Sequence, residues 1–434
     1  MPGLVEYDAV VVGAGILGLA TAYHMKRENP DHRILVLDRL SGPGQGNTAK
    51  SAGMFRVFFY SRTNLKLAHT SVAFYRHLQE EEGVNLNIRW VGYLWLFDAD
   101  SYARIKPVLE ALRARGLDYK IYGAEDLESM MGLRAKVSED EEARLMGLPD
   151  VECGVFVPEA GSIDVDALVR FYEAAFLRLG GEVRYNTEVR RLLLEPKRPL
   201  GVPGEPFIWQ DARVAGVETD KGTIRARKVV VAAGAWAHKL LGPIGIECFS
   251  RPKKRQMFSV KVSGRPELER LLWAKGFNKE GCMPFTILPR PRVYIKPALE
   301  EGALWLSYAD ELGRPFEEEP ELEPKPEPEF YEYGLYQVAV KYFPQLEGCR
   351  PHASWAGYYA ENPIDHQPVV FEEADVIVVG GASGSGIMKA DAIGRIAAAL
   401  YSGREYATLF GGEEFKVSDL GIKARKVEPE KLVI

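Results

Sequence analysis

Three glycines carry the first chemical signal. Gly13, Gly15 and Gly18 follow directly on the β-branched run Ala9-Val-Val-Val12 and open an alanine-rich segment whose spacing predicts a helix. In that setting each glycine has its own mechanical role. Gly13 permits a tight turn, Gly15 lets backbone approach a pyrophosphate, and Gly18 lets the helix pack closely on its strand. Together with Ala14, Ile16 and Leu17 they would offer that anion free N–H groups and the positive end of a helix. Asp38 stands twenty residues after Gly18, at the end of the second apolar run Ile34-Leu-Val-Leu37. It is placed to accept hydrogen bonds from a ribose hydroxyl, and its charge would repel a 2′-phosphate. A dinucleotide such as FAD or NAD therefore fits better than NADP.

Two further stretches point at the same ligand. The glycine-rich loop from Ser41 to Arg56 holds Thr48, Ser51, Ala52 and Gly53, small residues and backbone amides that can wrap a flat cofactor. Arg56 is the first charged side chain after that run and leads into Val57-Phe-Phe-Tyr60. Far along the chain, Asp375-Val-Ile-Val-Val379 and the glycine turn Gly380 to Lys389 run into another alanine-rich helix. A second helix start of this kind can face an anionic ring system while the first holds the pyrophosphate. Between them, Lys228-Val-Val-Val231 ends in the small-residue turn Ala232-Ala-Gly-Ala-Trp236, a second backbone approach to the same dinucleotide.

The elements that must position these groups alternate in type. An amphipathic helix is predicted over about 64–79, from Leu67, Val72, Phe74, Tyr75 and Leu78. Another follows the Ile163-Asp-Val-Asp166 cap and ends at Gly180-Gly181. Residues 88–150 begin with the strand-like Arg89 to Phe97 and continue in charged helical segments. Past Pro252 the pattern turns β-rich, with Gln256 to Val262, Arg292 to Lys296 and Ala303 to Tyr308 suggesting an antiparallel sheet. The fold class expected is α/β (α+β overall): a Rossmann-like dinucleotide domain from 1–87, 151–250 and 354–425, and an antiparallel β-sheet substrate domain from 88–150 and 251–353. The proline- and glutamate-rich Gly313 to Glu329 reads as a solvated loop, and 426–434 as a C-terminal tail with a frayed end.

With 434 residues, two or three domains are expected. A net charge of -6 argues against nucleic acid as the main partner. No run is long enough for a membrane span, and the N-terminus lacks the features of a signal peptide. Cys153, Cys248, Cys282 and Cys349 stand far apart without a CxxC, so neither a metal site nor a disulfide framework is expected, and four free thiols suit a reducing cytoplasm. The plentiful Glu, Lys and Arg hint at heat adaptation.

The glycine motif, the loop ending in Arg56, the AAGAWA run from Ala232, the SWAGYY…NPIDH segment from Ser354 and the GGASGSG turn from Gly380 resemble the D-amino-acid-oxidase-like superfamily of FAD enzymes. The likeness covers nearly the whole chain and is nearest to the branch of sarcosine oxidases, dimethylglycine dehydrogenases and dye-linked L-proline dehydrogenases. It implies FAD at the seam of the two domains and hydride removal from a carbon beside the amine of a small amino acid. The resemblance assigns cofactor contacts to Arg39, Val189, Ala233, Gly234, Trp236, Gly384, Ser385, Gly386, Ile387, Met388 and Lys389. It puts Arg56 at the substrate carboxylate and Tyr294 on a substrate-facing strand, although a core tyrosine fits that position equally. The oxidases' second carboxylate-binding lysine falls near Met388, one place before Lys389. Their oxygen-activating lysine corresponds to Trp305, so the resemblance implies a dehydrogenase passing electrons to a quinone, dye or protein. Flavin-tethering positions of relatives fall at Gly357 and near Lys50, which implies non-covalent FAD. Asp365 and His366 read as structural, and a homo-oligomer is compatible. L-Proline leads as substrate, ahead of sarcosine and dimethylglycine. The alternatives are a sarcosine, glycine or D-amino-acid oxidase and a non-catalytic flavoprotein subunit or assembly factor; the first motif alone would also allow a nicotinamide dehydrogenase.

Overall fold

The computed structural model describes residues 6–309 and 314–432; the chain up to Val5, Gly313 and the last two tail residues lie outside them. Two eight-stranded sheets organise the chain. The first is built on β1 (Tyr7–Val12), followed by α1 (Ile16–Glu28), β2 (Ile34–Leu37), α2 (Arg62–Glu80), β3 (Glu182–Arg184), β4 (Gly222–Val231), β5 (Val369–Glu373), β6 (Val376–Gly380) and α3 (Ala390–Tyr401). Its order is β5-β6-β4-β1-β2-β3. All pairs are parallel except β5 with β6. The hairpin Val189–Pro196 and Ala212–Thr219 extends from β4. β1, β2 and β6 are buried along nearly their whole length, as a parallel sheet covered on both faces requires.

α2 begins where Ser61 caps it, its hydroxyl accepting from the Asn64 amide. The helix Val165–Arg178 has Asp164 as its cap. α1, Val165–Arg178 and α3 are tied by one buried network: Asp391 on α3 accepts from His24 Nε2 at 2.7 Å, Tyr172 Oη at 3.2 Å and Arg395 Nε at 2.6 Å. Burial, partly offset by the Asp391 carboxylate, pushes the His24 imidazole down to about 4.

The second sheet runs Ala353–Glu361, Arg251–Lys261, Ala303–Ser307, Tyr294–Ala298, Phe285–Ile287, Tyr93–Phe97, Cys153–Val157 and Lys120–Gly123. It is antiparallel but for the pair Phe285–Ile287 and Tyr93–Phe97. Two border strands pair differently from expectation: Cys153–Val157 and Ala353–Glu361 belong to this sheet, so the borders set at 151 and 354 move past them. Both are half or fully apolar strands whose sequence alone does not say which sheet they join.

Residues 314–329 also depart from the solvated loop. They are exposed for the most part but bonded along their length to both halves of the molecule. All four cysteines are buried and free. Among the described residues no helix is long and apolar enough to cross a membrane, and no cluster could hold a metal ion.

Asp391→Ala leaves the buried Arg395 guanidinium without its carboxylate and is expected to lower unfolding free energy by about 3–5 kcal/mol, read from urea midpoints. In the wild type the unfolded chain takes up a proton on His24 that the folded chain refuses. Stability should therefore fall as pH drops from about 6.5 towards about 4.

Candidate active site

One cavity of about 1060 Å³ runs between the two sheets. Its first arm starts at the turn after β1. Gly13 has φ +109°, and a Cβ there would stand 2.6 Å from the Ala232 carbonyl; a Cβ on Gly18 would stand 1.9 Å from the Gly13 carbonyl. Helix and strands thus meet backbone to backbone. α1 has no side-chain cap, and Thr48 Oγ1 accepts from the Ile16 amide at 3.2 Å. Asp38 accepts from Ala14 N at 2.7 Å and Leu40 N at 2.8 Å. The arm ends at Arg39, Thr187, Glu188, Val189 and Trp236, with the Arg39 guanidinium 4.4 Å from the Trp236 ring centre.

At the other end Arg56 is 5% exposed, held between the Phe59 ring at 4.3 Å and the Trp95 ring at 5.4 Å. Nη2 donates to the Leu432 carbonyl at 3.1 Å, while Nη1 is buried with no partner among the described residues. Lys389 is 1% exposed. Its Nζ donates to Asn64 Oδ1 and Ser385 Oγ, both at 2.7 Å, which leaves one of its three N–H groups over. Burial, then the neighbouring Arg56 charge, push this amine down to about 7, with Glu430 opposing. Glu430 on the tail accepts from the Tyr60 and Leu432 amides and, at 3.3 Å, from the Ser61 amide and Asn64 Nδ2. The described part of the tail is therefore docked in the cavity: Pro429, Glu430 and Leu432 line it, and Leu432 packs with Tyr93, Phe285 and Tyr294.

Cross-strand register explains the wall opposite. Tyr294 stands opposite Ser307, Ser307 opposite Met257, and Met257 opposite Trp355. Residues in such a row share one face, and all four line the cavity. Trp305 lies two residues before Ser307 on that face, beyond the cavity's edge. It packs edge-on to Trp355 at 4.7 Å, its indole N–H donates to Glu301, and Lys296 Nζ is 3.8 Å from its ring centre. Burial raises the phenol pKa values of Tyr93, Tyr294 and Tyr359, so all three are neutral hydroxyls.

Of the residues singled out from sequence, Gly13, Gly15, Ile16, Leu17, Asp38, Arg39, Thr48, Ser51, Ala52, Arg56, Val189, Ala233, Gly234, Trp236, Tyr294 and Gly384 through Lys389 line this cavity. Ala14, Gly18 and Gly53 support it from behind, and Trp305 does not reach it. Sequence reasoning missed Asn64, Tyr93, Phe285, Tyr359 and Glu430. Tyr359 had a signal, since Trp355, Gly357 and Tyr359 alternate along one strand; Asn64 had none.

An elongated cleft with two glycine turns and an acid at the end of β2 fits FAD. A Cβ on Gly384 (φ +77°) would meet the Tyr359 ring at 2.4 Å, so this turn too is pressed against its wall. The sequence profile described as FAD dependent oxidoreductase (DAO) matches residues 8–400. The chain belongs to this family, and its cofactor is FAD. It is 28% identical over 410 residues to a glycine oxidase of Pseudomonas aeruginosa, covering 91% of this chain and 95% of that one. A glycine oxidase of Pseudomonas putida is 26% identical, covering 82% and 83%. Among solved structures, L-proline dehydrogenase from P. horikoshii superposes with a TM-score of 0.69 at 22% identity, over 92% of this chain and 94% of that one. NikD, an amino acid oxidase of nikkomycin biosynthesis, gives 0.70 at 20% identity, covering 99% of each. These likenesses establish the fold.

Because Lys389 titrates near neutrality, an amine-free carboxylate such as cyclopentanecarboxylate should bind the holoenzyme more weakly as pH rises from about 6 to about 9. Perturbation of the flavin absorbance measures this, and Lys389→Met should bind weakly with a flat pH profile.

Proposed function

We propose that this protein is an FAD-dependent dehydrogenase of a small secondary amino acid, L-proline first, with electrons passing to an acceptor other than oxygen. One observation carries the reading: two buried cations, Arg56 with an unpartnered Nη1 and Lys389 with a spare donor, stand at the end of an otherwise aromatic arm. A carboxylate is the anion that such a pair accepts through charge-assisted bonds. Tyr93, Phe285, Tyr294 and Leu432 enclose the space beside it, which suits a small apolar ring or methyl group. When bound, FAD supplies the two-electron acceptor for hydride from the carbon bearing the nitrogen. This chain's part is to anchor the carboxylate, orient that carbon and exclude water. The tyrosines are neutral phenols and not bases, and hydride leaves from a substrate whose nitrogen is unprotonated.

The choice of acceptor is supported by Trp305. At the position of the oxidases' lysine stands Trp305, and Lys296, which packs on it, does not line the cavity either. An indole in place of that lysine gives superoxide no matching cation as it forms, which favours a quinone, dye or protein. The likeness to glycine oxidases supports a second reading, a peroxide-forming oxidase of glycine or sarcosine.

Anaerobic mixing with L-proline, sarcosine, dimethylglycine, glycine and D-alanine separates them. L-Proline is expected to bleach the flavin, an artificial dye to restore colour at once, and air to do so slowly. Immediate recovery in air would establish the oxidase, and no bleaching by any amine would leave a non-catalytic flavoprotein. Arg56→Met should raise KM for the amino acid by about 10–150-fold, the loss of one charged hydrogen-bonding partner, with little effect on FAD content.

A further inference from the structure

Residues 317–327 cross the outside of the cofactor cavity as an irregular segment that bends at Glu318-Glu319 and at Leu322-Glu323. Its prolines, Pro320, Pro324 and Pro326, favour a conformation without internal hydrogen bonds, so its carbonyls are free to be used elsewhere. Three at alternate positions are: the Glu318 carbonyl lies 3.0 Å from His238 Nε2, the Pro320 carbonyl accepts from Trp236 Nε1 at 3.0 Å, and the Leu322 carbonyl accepts from Lys50 Nζ at 3.2 Å. All three carbonyls face the cavity wall. Between them Glu319 pairs with Lys239, and the Glu321 amide donates to Tyr358 Oη at 3.3 Å. Trp236, Lys239, Tyr358 and Lys50 all line the cavity yet come from three separate segments. Pro320 and Pro324 are buried while their neighbours are exposed.

The far end is fastened more firmly. The Glu327 carboxylate accepts from Lys254 Nζ at 2.7 Å, Gln256 Nε2 at 2.9 Å and Arg314 at 2.9 and 3.2 Å, and its amide donates to Gln256 Oε1 at 2.6 Å. At the near end the Glu317 amide donates to the Pro252 carbonyl at 2.8 Å and Lys253 Nζ stands 5.6 Å from the Phe316 ring centre. The Glu327 cluster stands on the second sheet, and the three carbonyl contacts stand on the first sheet's turns and the glycine loop.

We propose that this segment is a strap that retains FAD, with Glu327 as its latch: the strap lifts for the cofactor to enter or leave and stays down during turnover. It ties Trp236, Lys50 and Tyr358 across the cleft, so none can swing out while it is in place. The substrate arm lies at the opposite end of the cavity, and no residue of 317–327 lines it.

The test uses the holoenzyme and Glu327→Ala, whose side chain lines neither arm. FAD release is followed by the rise of free-flavin fluorescence after dilution, and hydrogen exchange is measured on the same samples. Release should be roughly tenfold faster or more in the variant, with increased exchange confined to 314–329 and with KM and kcat at saturating FAD within about twofold of wild type. Unchanged release overturns the proposal. So does faster release accompanied by increased exchange throughout the chain, which is general destabilisation. If Glu327→Ala does not fold, Glu327→Gln, which keeps the shape and loses the charge, is read in the same way. Because the readout is cofactor release, its failure is separable from a wrong assignment of the substrate.

Discussion

Everything in the nucleotide half depends on how closely β1, α1 and β4 approach. The contact of Gly18 with the Gly13 carbonyl, and of Gly13 with Ala232, leaves no room for a side chain at either glycine. Because the helix start is pressed onto two strand ends, the peptide groups of both turns open onto the same cleft. The polar side chains nearby then serve the turn before they serve a ligand. Asp38 holds the Ala14 and Leu40 amides, and Thr48 holds the Ile16 amide. Each keeps acceptor capacity to spare, so rigidity of the cradle and recognition of the ligand come from the same atoms.

At the substrate end the constraint is electrostatic. Two cations have been taken out of water within one arm, an arrangement that costs energy unless it is answered. The Phe59 ring answers both, at 4.3 Å from Arg56 and 5.1 Å from Lys389. Glu430 supplies the formal countercharge, although its own oxygens are spent on backbone amides and Asn64. What remains unanswered is the Arg56 Nη1 group, a directional donor for one more anionic oxygen. The β-sheet opposite contributes shape, through one row of side chains set by strand register, and a further cation in Arg255, which lines the cavity 5.1 Å from the Tyr359 ring centre.

The nucleotide half was legible because its chemistry is local: a glycine spacing, a strand and an acid at fixed offset each fit within a short window. Lys389 illustrates the limit. Whether a residue one place along a helix faces a pocket depends on a rotation of about 100°, and only the docking of α3 against α2 fixed it. Trp305 shows the same kind of limit, since counting along a strand cannot say where a cavity ends. The tail and 314–329 looked unstructured because composition describes what a segment could bury by itself. Both are held by partners far away in the chain.

That long-range construction has a consequence for synthesis. β1 pairs with β4 some two hundred residues later, and β4 pairs with β6 well beyond that. A nascent chain that has only just emitted its glycine motif therefore carries an apolar strand with no neighbour on either side. The flavin can be captured only after β4 and β6 have arrived, so loading with cofactor reports that the chain has threaded both domains correctly. Until then its unpaired parallel edges are an aggregation hazard that the cell must shelter.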